Sequence, residues 1–428
     1  MGRITSRWIA AASAIALIGS LGAARRPRYG GNLRVQIGAS VQSLDPGEWP
    51  NDPAEAAAKA ALAGVVFETL VRLDPHGQPQ PALAIFWSHD AARKRWIFKP
   101  RPNVVLHDGS PWEPPESALS FSDDRPIERI LSDLARPRNA VAVRLSDGTL
   151  TGTGPFALAR WDPGKSATLT AHAGYWGGRA YLDSIDVQMG RTDRQQALDF
   201  EAGKADVIEA GIADLRRLRE RNANLSVSAP VEVVAIVFEG ARAVPPQVQQ
   251  ALALSIDRAA IQSVLLQRQG EISAALLPQW LSGYSFVFST ARDLARARQL
   301  AAGAAPLTLT YDRADMLARS IAERIAVNAS EAGLPLRSVP GAAADARLVR
   351  FRITSFDPFI ALEDLAAQLK SPMPAASDIY GSERALLRGS RVIPLLHLPL
   401  ARQISPKVHG WNENGRLEDV WLEGGPEP

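Results

Sequence analysis

The chain has no cysteine among its 428 residues. That absence removes disulfides, thiol nucleophiles, thiolate metal sites and a lipid-modified N-terminal cysteine together. Histidine is scarce: His76, His89, His107, His172, His397 and His409 are the full set. None of them falls in His-x-Glu or His-x-x-x-His spacing, so the pattern points to no metal site and excludes a bare nickel ion as cargo. A Gly-x-Ser-x-Gly nucleophile elbow is missing, and no two carboxylates are paired by spacing for acid–base work. No cofactor motif is present, and the chain reads as a non-enzyme. Runs of like charge are also absent: 48 Lys and Arg stand against 45 Asp and Glu, which gives nucleic-acid binding little electrostatic support.

What remains is an ordinary globular composition, 46% apolar and 22% charged, in a chain long enough for two or three domains. The N-terminus is distinctive. Arg3 and Arg7 precede the uncharged run Trp8–Ala24, which ends in small residues at Gly22 and Ala24. This is the layout of a secretory signal, and the run is shorter than the roughly 20 residues of a membrane span. Arg25 and Arg26 follow the run, whereas a twin-arginine signal places the pair before it. Residues 1–28 are therefore expected to be a signal peptide, with an uncleaved anchor as the alternative.

Strand-like and helix-like stretches alternate along the rest. Asn32–Gly38 alternates at period two. The Ala-rich stretch from Pro53 predicts a helix capped by Asp52. "RWIFKPR" with the following "VVLHDG" reads as a hairpin, and "RQQALDFEAG" as a short helix ended by Gly203. "VVAIVFEG" is a fully apolar strand, and "PPQVQQALALSIDRAAIQSVLLQ" predicts one amphipathic helix. "LTLTYD", a helix and "LPLRSV" make a strand–helix–strand unit with parallel strands. "RVIPLLHLPL" is an apolar strand whose prolines place it near an edge or a crossover. The class is α/β with mixed sheets and at least two lobes.

Several of these stretches, in order, carry a resemblance. "GGNLRVQIGASVQSLDP", "VFETLVRLDPHGQPQPALAIFWSHDAARKRWIFKPRPNVVLHDGSPW", "GTGPFALARWDPGKSATLTAHAGYWGG", "EAGKADV", "VQQALALSIDRAAI" and "VHGW" span most of residues 30–411. Together they resemble the family 5 solute-binding proteins of peptide, nickel and oligopeptide ABC importers. The resemblance implies a periplasmic-binding-protein-like clamshell. Lobe I would comprise 29–46, 151–240 and 396–428, a small domain would be inserted at 47–150, and lobe II would be 241–395. The segment between "SALSFSD" and "GTGPF" is shorter than the family pattern, as is the second lobe. The resemblance further implies an exported, periplasmic or extracytoplasmic monomer that captures a peptide-like or small cationic solute and docks on an ABC importer permease. A degenerate, membrane-tethered sensor or interaction protein is the alternative, and contact with a membrane would run only through the N-terminal segment or the permease.

Two motifs invite a chemical reading and have a plainer one. "HDG" (His107–Gly109) is turn chemistry, because Asp108 can bond its own backbone and Gly109 can take a positive φ. "GTGPF" is a tight turn entering a strand, since Pro155 and Phe156 follow it in place of a helix opened by Gly-Lys-Ser/Thr. The candidate ligand-binding residues are Glu48 and Trp49 just past the first strand, Phe238 at a strand end, Trp280 and Tyr284 in "LPQWLSGYSF", and Phe356 and Asp357, which the resemblance puts where the family has an aromatic and an ammonium-binding Asp. An acidic group answering an ammonium and aromatic rings stacking on it are what a cationic or peptide ligand requires. Phe238 has core filling as its competing role. Glu48 and Trp49 compete with a solvated proline-rich loop.

Overall fold

The computed structural model describes residues 26–424, apart from 75, 241, 375–377, 390–391 and 413–415. The expected signal segment Trp8–Ala24 lies outside the described residues. Among those described, no helix is long and apolar enough to cross a membrane.

Two antiparallel strands of 13 residues each, Leu225–Val237 and Val392–Ile404, dominate the architecture. They lie at the centre of an 11-stranded mixed sheet. On one side follow Ala346–Arg352, Leu307–Tyr311 and Leu336–Pro340; on the other follow Val207–Glu209, Asn32–Gln36, Ser184–Gln188, Ser166–Ala171 and Phe156–Asp162. Each long strand thus belongs to both halves. Leu225–Val227 pairs with Ala401–Gln403, beside the first half, and Glu232–Val237 pairs with Val392–Leu398, inside the second. Between them the register shifts, and Pro230 faces Pro399. Proline cannot donate to a ladder, so bulges are where it fits within a sheet. The "RVIPLLHLPL" stretch is accordingly a central strand and not an edge one: Pro394 and Pro399 both lie beside register shifts.

Alternation along the long strand explains its apolar sequence. Val234, Ile236 and Phe238 point into one core cluster with Val248, Leu252 and Ile325, while Val233, Ala235 and Val237 point into another with Phe351 and Leu365. A strand covered on both faces has no polar side to show. Just past the proline, buried Glu232 is held by Arg350 at 2.6 Å and Arg352 at 3.3 Å from the adjacent strand, and Arg350 also reaches Asp315 at 2.7 Å.

The local expectations hold with two exceptions. Asp52 caps the helix Pro53–Val66 by accepting from the Glu55 amide at 2.8 Å. Leu307–Tyr311 and Leu336–Pro340 are parallel across the helix Met316–Glu331. The long amphipathic helix is instead broken: Pro246–Ser255 ends at extended Ile256, and Asp257 caps a new turn by accepting from Ala260. Arg95–Pro100 finds its hairpin partner upstream, in Ala84–Asp90, while "VVLHDG" closes on itself through Leu106 and Ser110. The turn chemistry won locally: Gly109 has φ 85°, and Asp108 accepts from the Ser110 amide and hydroxyl.

A small subdomain built on this hairpin is tied to the first half at one junction, where two of the quoted stretches meet. Glu68, from "VFETL", accepts from Trp176 Nε1 at 2.7 Å, Thr153 Oγ1 at 3.0 Å and the Tyr175 hydroxyl at 3.0 Å. Burial pushes this carboxyl above its ordinary range, and the three donors oppose that shift. His107 Nε2 donates to the Gly154 carbonyl at 3.1 Å and Nδ1 accepts from the Gly152 amide at 3.4 Å, which fixes a neutral ring. Its pKa falls to about 4, chiefly through burial. A Cβ on Gly152 would lie 2.3 Å from the Val66 carbonyl oxygen, and one on Gly154 2.6 Å from that of Val65. The two glycines of "GTGP" therefore serve close backbone approach to a helix end.

Gly154→Ala should accordingly cost roughly 1–3 kcal/mol or more through overpacking against backbone that cannot retreat. Urea unfolding monitored by tryptophan fluorescence checks this, with Gly64→Ala as the comparison, since that helical glycine has no positive φ and nothing lies within 4 Å of a Cβ there.

Candidate functional site

The two halves of the sheet and the small subdomain come together beside Pro230 and Pro399, and the candidate residues divide there into three groups.

Trp280 and Phe356 form the first. The short helix Gln279–Ser282 presents Trp280, whose Nε1 donates to the Pro230 carbonyl at 2.7 Å. Its ring centroid lies 6.0 Å from that of Phe356 in an edge-on arrangement, and Trp280 remains 40% exposed. Phe356 is also approached from the small subdomain, since a Cβ on Gly77 would sit 3.1 Å from Phe356 Cβ. Asp357 follows and caps the helix Pro358–Gln368, with both cap bonds running to Oδ1, from Phe359 at 2.9 Å and Ile360 at 3.1 Å. Next to Trp280 a hollow of about 260 Å³ is lined by Glu271, Ile272, Ser273, Gln279, Ser285, Phe286 and His397.

Glu48 and Trp49 form the second. The Glu48 carboxylate is exposed, but its carbonyl accepts from Lys59 Nζ, which also bonds the Asp45 carbonyl at 2.6 Å. Lys59 is 1% exposed within an otherwise Ala-rich helix. Burial lowers its pKa, while Asp45, Glu48 and Glu55 oppose the drop. Trp49 lies between two cations, with Lys59 Nζ 5.7 Å and the Arg138 guanidinium 5.5 Å from the ring centroid. Cation–π contacts thus already use this ring.

The remaining two candidates lie elsewhere. Phe238 is 6% exposed and packs in the core of the second half. Tyr284 donates its hydroxyl to Glu383, a fully buried carboxyl that also accepts from the Leu276 and Leu277 amides. Burial pushes Glu383 up to about 7, against the pull of those three donors. The second ring in contact is Tyr380, at 5.1 Å.

Sequence reasoning missed the charged residues that join the pieces. Arg136 and Arg138 from the small subdomain both reach Asp364 on the Pro358–Gln368 helix, Arg138 at 2.6 Å. Arg129 lies over the Phe359 ring at 3.9 Å. Lys59 had a signal, because it shares a helical face with buried Leu62, Ala63 and Val66. The arginines had none. Among the described residues no cluster of three or more His, Asp or Glu is placed to hold a metal.

Residues 127–337 match the family model described as "Bacterial extracellular solute-binding proteins, family 5 Middle". That stretch, just under half of the chain, is similar to the family's middle region. Among curated relatives it is 27% identical over 143 residues to Heme-binding protein A of Haemophilus influenzae, and 26% identical over 139 residues to the peptide transport periplasmic protein SapA of Salmonella typhimurium. Each alignment takes in 32% of this chain and about a quarter of the relative, 26% and 25% respectively. The fold is shared far more widely. DppA from Helicobacter pylori, in complex with peptide STSA, superposes with a TM-score of 0.77 at 17% identity, over 92% of this chain and 99% of that one. NikA from Staphylococcus aureus, in complex with Ni(L-His)2, gives 0.75 at 15% identity over 92% and 100%. This is the fold of periplasmic binding proteins, as the motif order implied.

Glu383 generates a pH prediction. Its folded pKa of about 7 stands above the ordinary 4.5, so the folded state holds the proton more tightly. The stability it contributes is complete below about pH 4.5 and is lost as pH rises to about 7, an effect of about 3 kcal/mol. Glu383→Gln should remove that decline, so the difference in urea-unfolding free energy between wild type and variant should move by this amount between pH 5 and 7.5. A constant difference would contradict the assignment.

Proposed function

We propose that this chain is an extracytoplasmic solute-binding protein, which captures a peptide-like or small cationic solute between two lobes and passes it to an ABC importer permease. The observation that carries the reading is the long strand pair shared by both sheet halves, in a fold that matches binding proteins over more than nine-tenths of the chain. Two halves joined by two strands can rotate about the joint, which is how clamshells close on a ligand. The lobes of this reading are those expected from the sequence, 29–46, 151–240 and 396–428 against 241–395 with 47–150 inserted, except that a turning point at Pro230 and Pro399 assigns 231–240 and 396–398 to the second lobe. The protein acts as a monomer outside the cytoplasm, exported by its N-terminal segment, with cleavage or retention of that segment deciding whether it is tethered.

Within the joint, Trp280 and Phe356 supply the exposed aromatic surface, and the hollow beside Trp280 supplies polar groups. The Glu48 carboxylate answers a ligand ammonium at the opposite wall, and Asp357 Oδ2 is a second acceptor. Trp49 contributes once its flanking cations move. Phe238 and Tyr284 shape the wall from behind and do not touch the solute. The mechanism is capture without bond-making.

Thermal unfolding of residues 29–428 against di- to pentapeptides and metal chelates tests this. A ligand at a hundred times its Kd adds about 2.7 kcal/mol, a shift of several degrees. One responding class, with the shift reduced by Trp280→Ala, supports solute capture at this site. A folded chain that responds to no class contradicts it.

A further inference from the structure

The small subdomain does more than abut the second half of the sheet. The contacts that join the two cluster at one helix, Pro358–Gln368, where Arg136 also lies 3.7 Å from Glu363. Arg136 and Arg138 converge on a single oxygen of Asp364, Oδ1. Asp364 is 9% exposed as a residue, and the Arg136 side chain 10%, so the pair is largely shielded from water. One turn of helix earlier, the Arg129 guanidinium covers the Phe359 ring. At the head of the same helix the Gly77 turn presses on Phe356. Arg138 additionally lies over Trp49, so the contact also fastens the loop that follows the first strand. Sequence separations of 226 and 228 residues make these purely tertiary contacts, with no local structure to maintain them.

Such a contact is costly to break on one side only. Removing both arginines leaves the shielded Asp364 charge without a counterpart, while Arg136 freed of Asp364 would keep Asp133 at 3.0 Å and Glu363 at 3.7 Å. No solute is needed to form it, since every group in it belongs to the chain.

We propose that Asp364, gripped by Arg136 and Arg138, is a latch holding the small subdomain closed on the second half of the sheet before any solute binds, so that solute entry waits on its release. A latch of this kind taxes association, because only the released fraction admits ligand. Weakening it raises the entry-competent population. The latch involves no ligand group, so it stands or falls independently of which solute is captured.

The absence of cysteine makes the test clean. Ala92→Cys at the small-subdomain hairpin and Ala302→Cys after the Leu294–Ala301 helix are both exposed and accept spin labels. Pulsed electron-resonance distances are measured on the ligand-free full chain, in the parent and with Asp364→Asn. The expected result is one narrow distribution in the parent and an added longer distance in the variant. Arg136→Gln/Arg138→Gln, which leaves the helix of the second half untouched, should produce the same longer distance if Asp364→Asn fails to fold. Distributions identical to the parent in the folded variants would overturn the latch, as would a parent already spread over both distances.

Discussion

Everything in this molecule hangs on two antiparallel strands that each serve both halves of one sheet. Leu225–Val237 and Val392–Ile404 carry apolar residues on both faces in the second half and then give up their regular ladder where Pro230 meets Pro399. A ladder interrupted by two facing prolines has fewer cross-strand bonds to resist bending than an unbroken one. Bending is thereby concentrated at one place. Glu232, clamped by Arg350 and Arg352 immediately beyond, keeps the second-half side of the joint stiff. A stiff body on each side and a weak joint between them are what a hinge requires.

The second constraint is the junction around Glu68. Residues from two of the quoted stretches converge there: Glu68 and His107 from one, the Gly152–Gly154 turn with Tyr175 and Trp176 from the other. The resemblance that these motifs carry is thus a resemblance of scaffold. They fix how the small subdomain attaches to the first half, and they are remote in role from whatever the chain binds. That separation is consistent with a fold shared at 15–17% identity with proteins solved with peptide STSA and with Ni(L-His)2.

Legibility in the sequence followed the same division. Where a rule is local, the sequence stated the answer: Asp52 before Pro53, Gly203 after a short helix, Gly109 in its turn. The parallel strand–helix–strand unit was readable because periodicity switched twice within one stretch. Tertiary choices were not readable. Arg95–Pro100 had two neighbours able to pair, and contacts elsewhere in the subdomain selected the upstream one. The prolines of Val392–Ile404 pointed to an edge, and only the two-lobed role of that strand explains them at the centre. Of the candidate site, Trp280 was singled out from loop context and Phe356 from the resemblance, and the two rings meet in the structure. The arginine–aspartate contact joining residues 136 and 138 to 364 left no trace in any window of sequence.

The central claim is that this chain carries a small solute, and non-denaturing mass spectrometry of residues 29–428 purified from a bacterial host tests it most directly. The account predicts a species heavier than the bare chain by the mass of a small molecule, with that increment released on denaturation and identifiable. Bare chain alone, both as purified and after incubation with a mixture of short peptides and metal chelates, would contradict it.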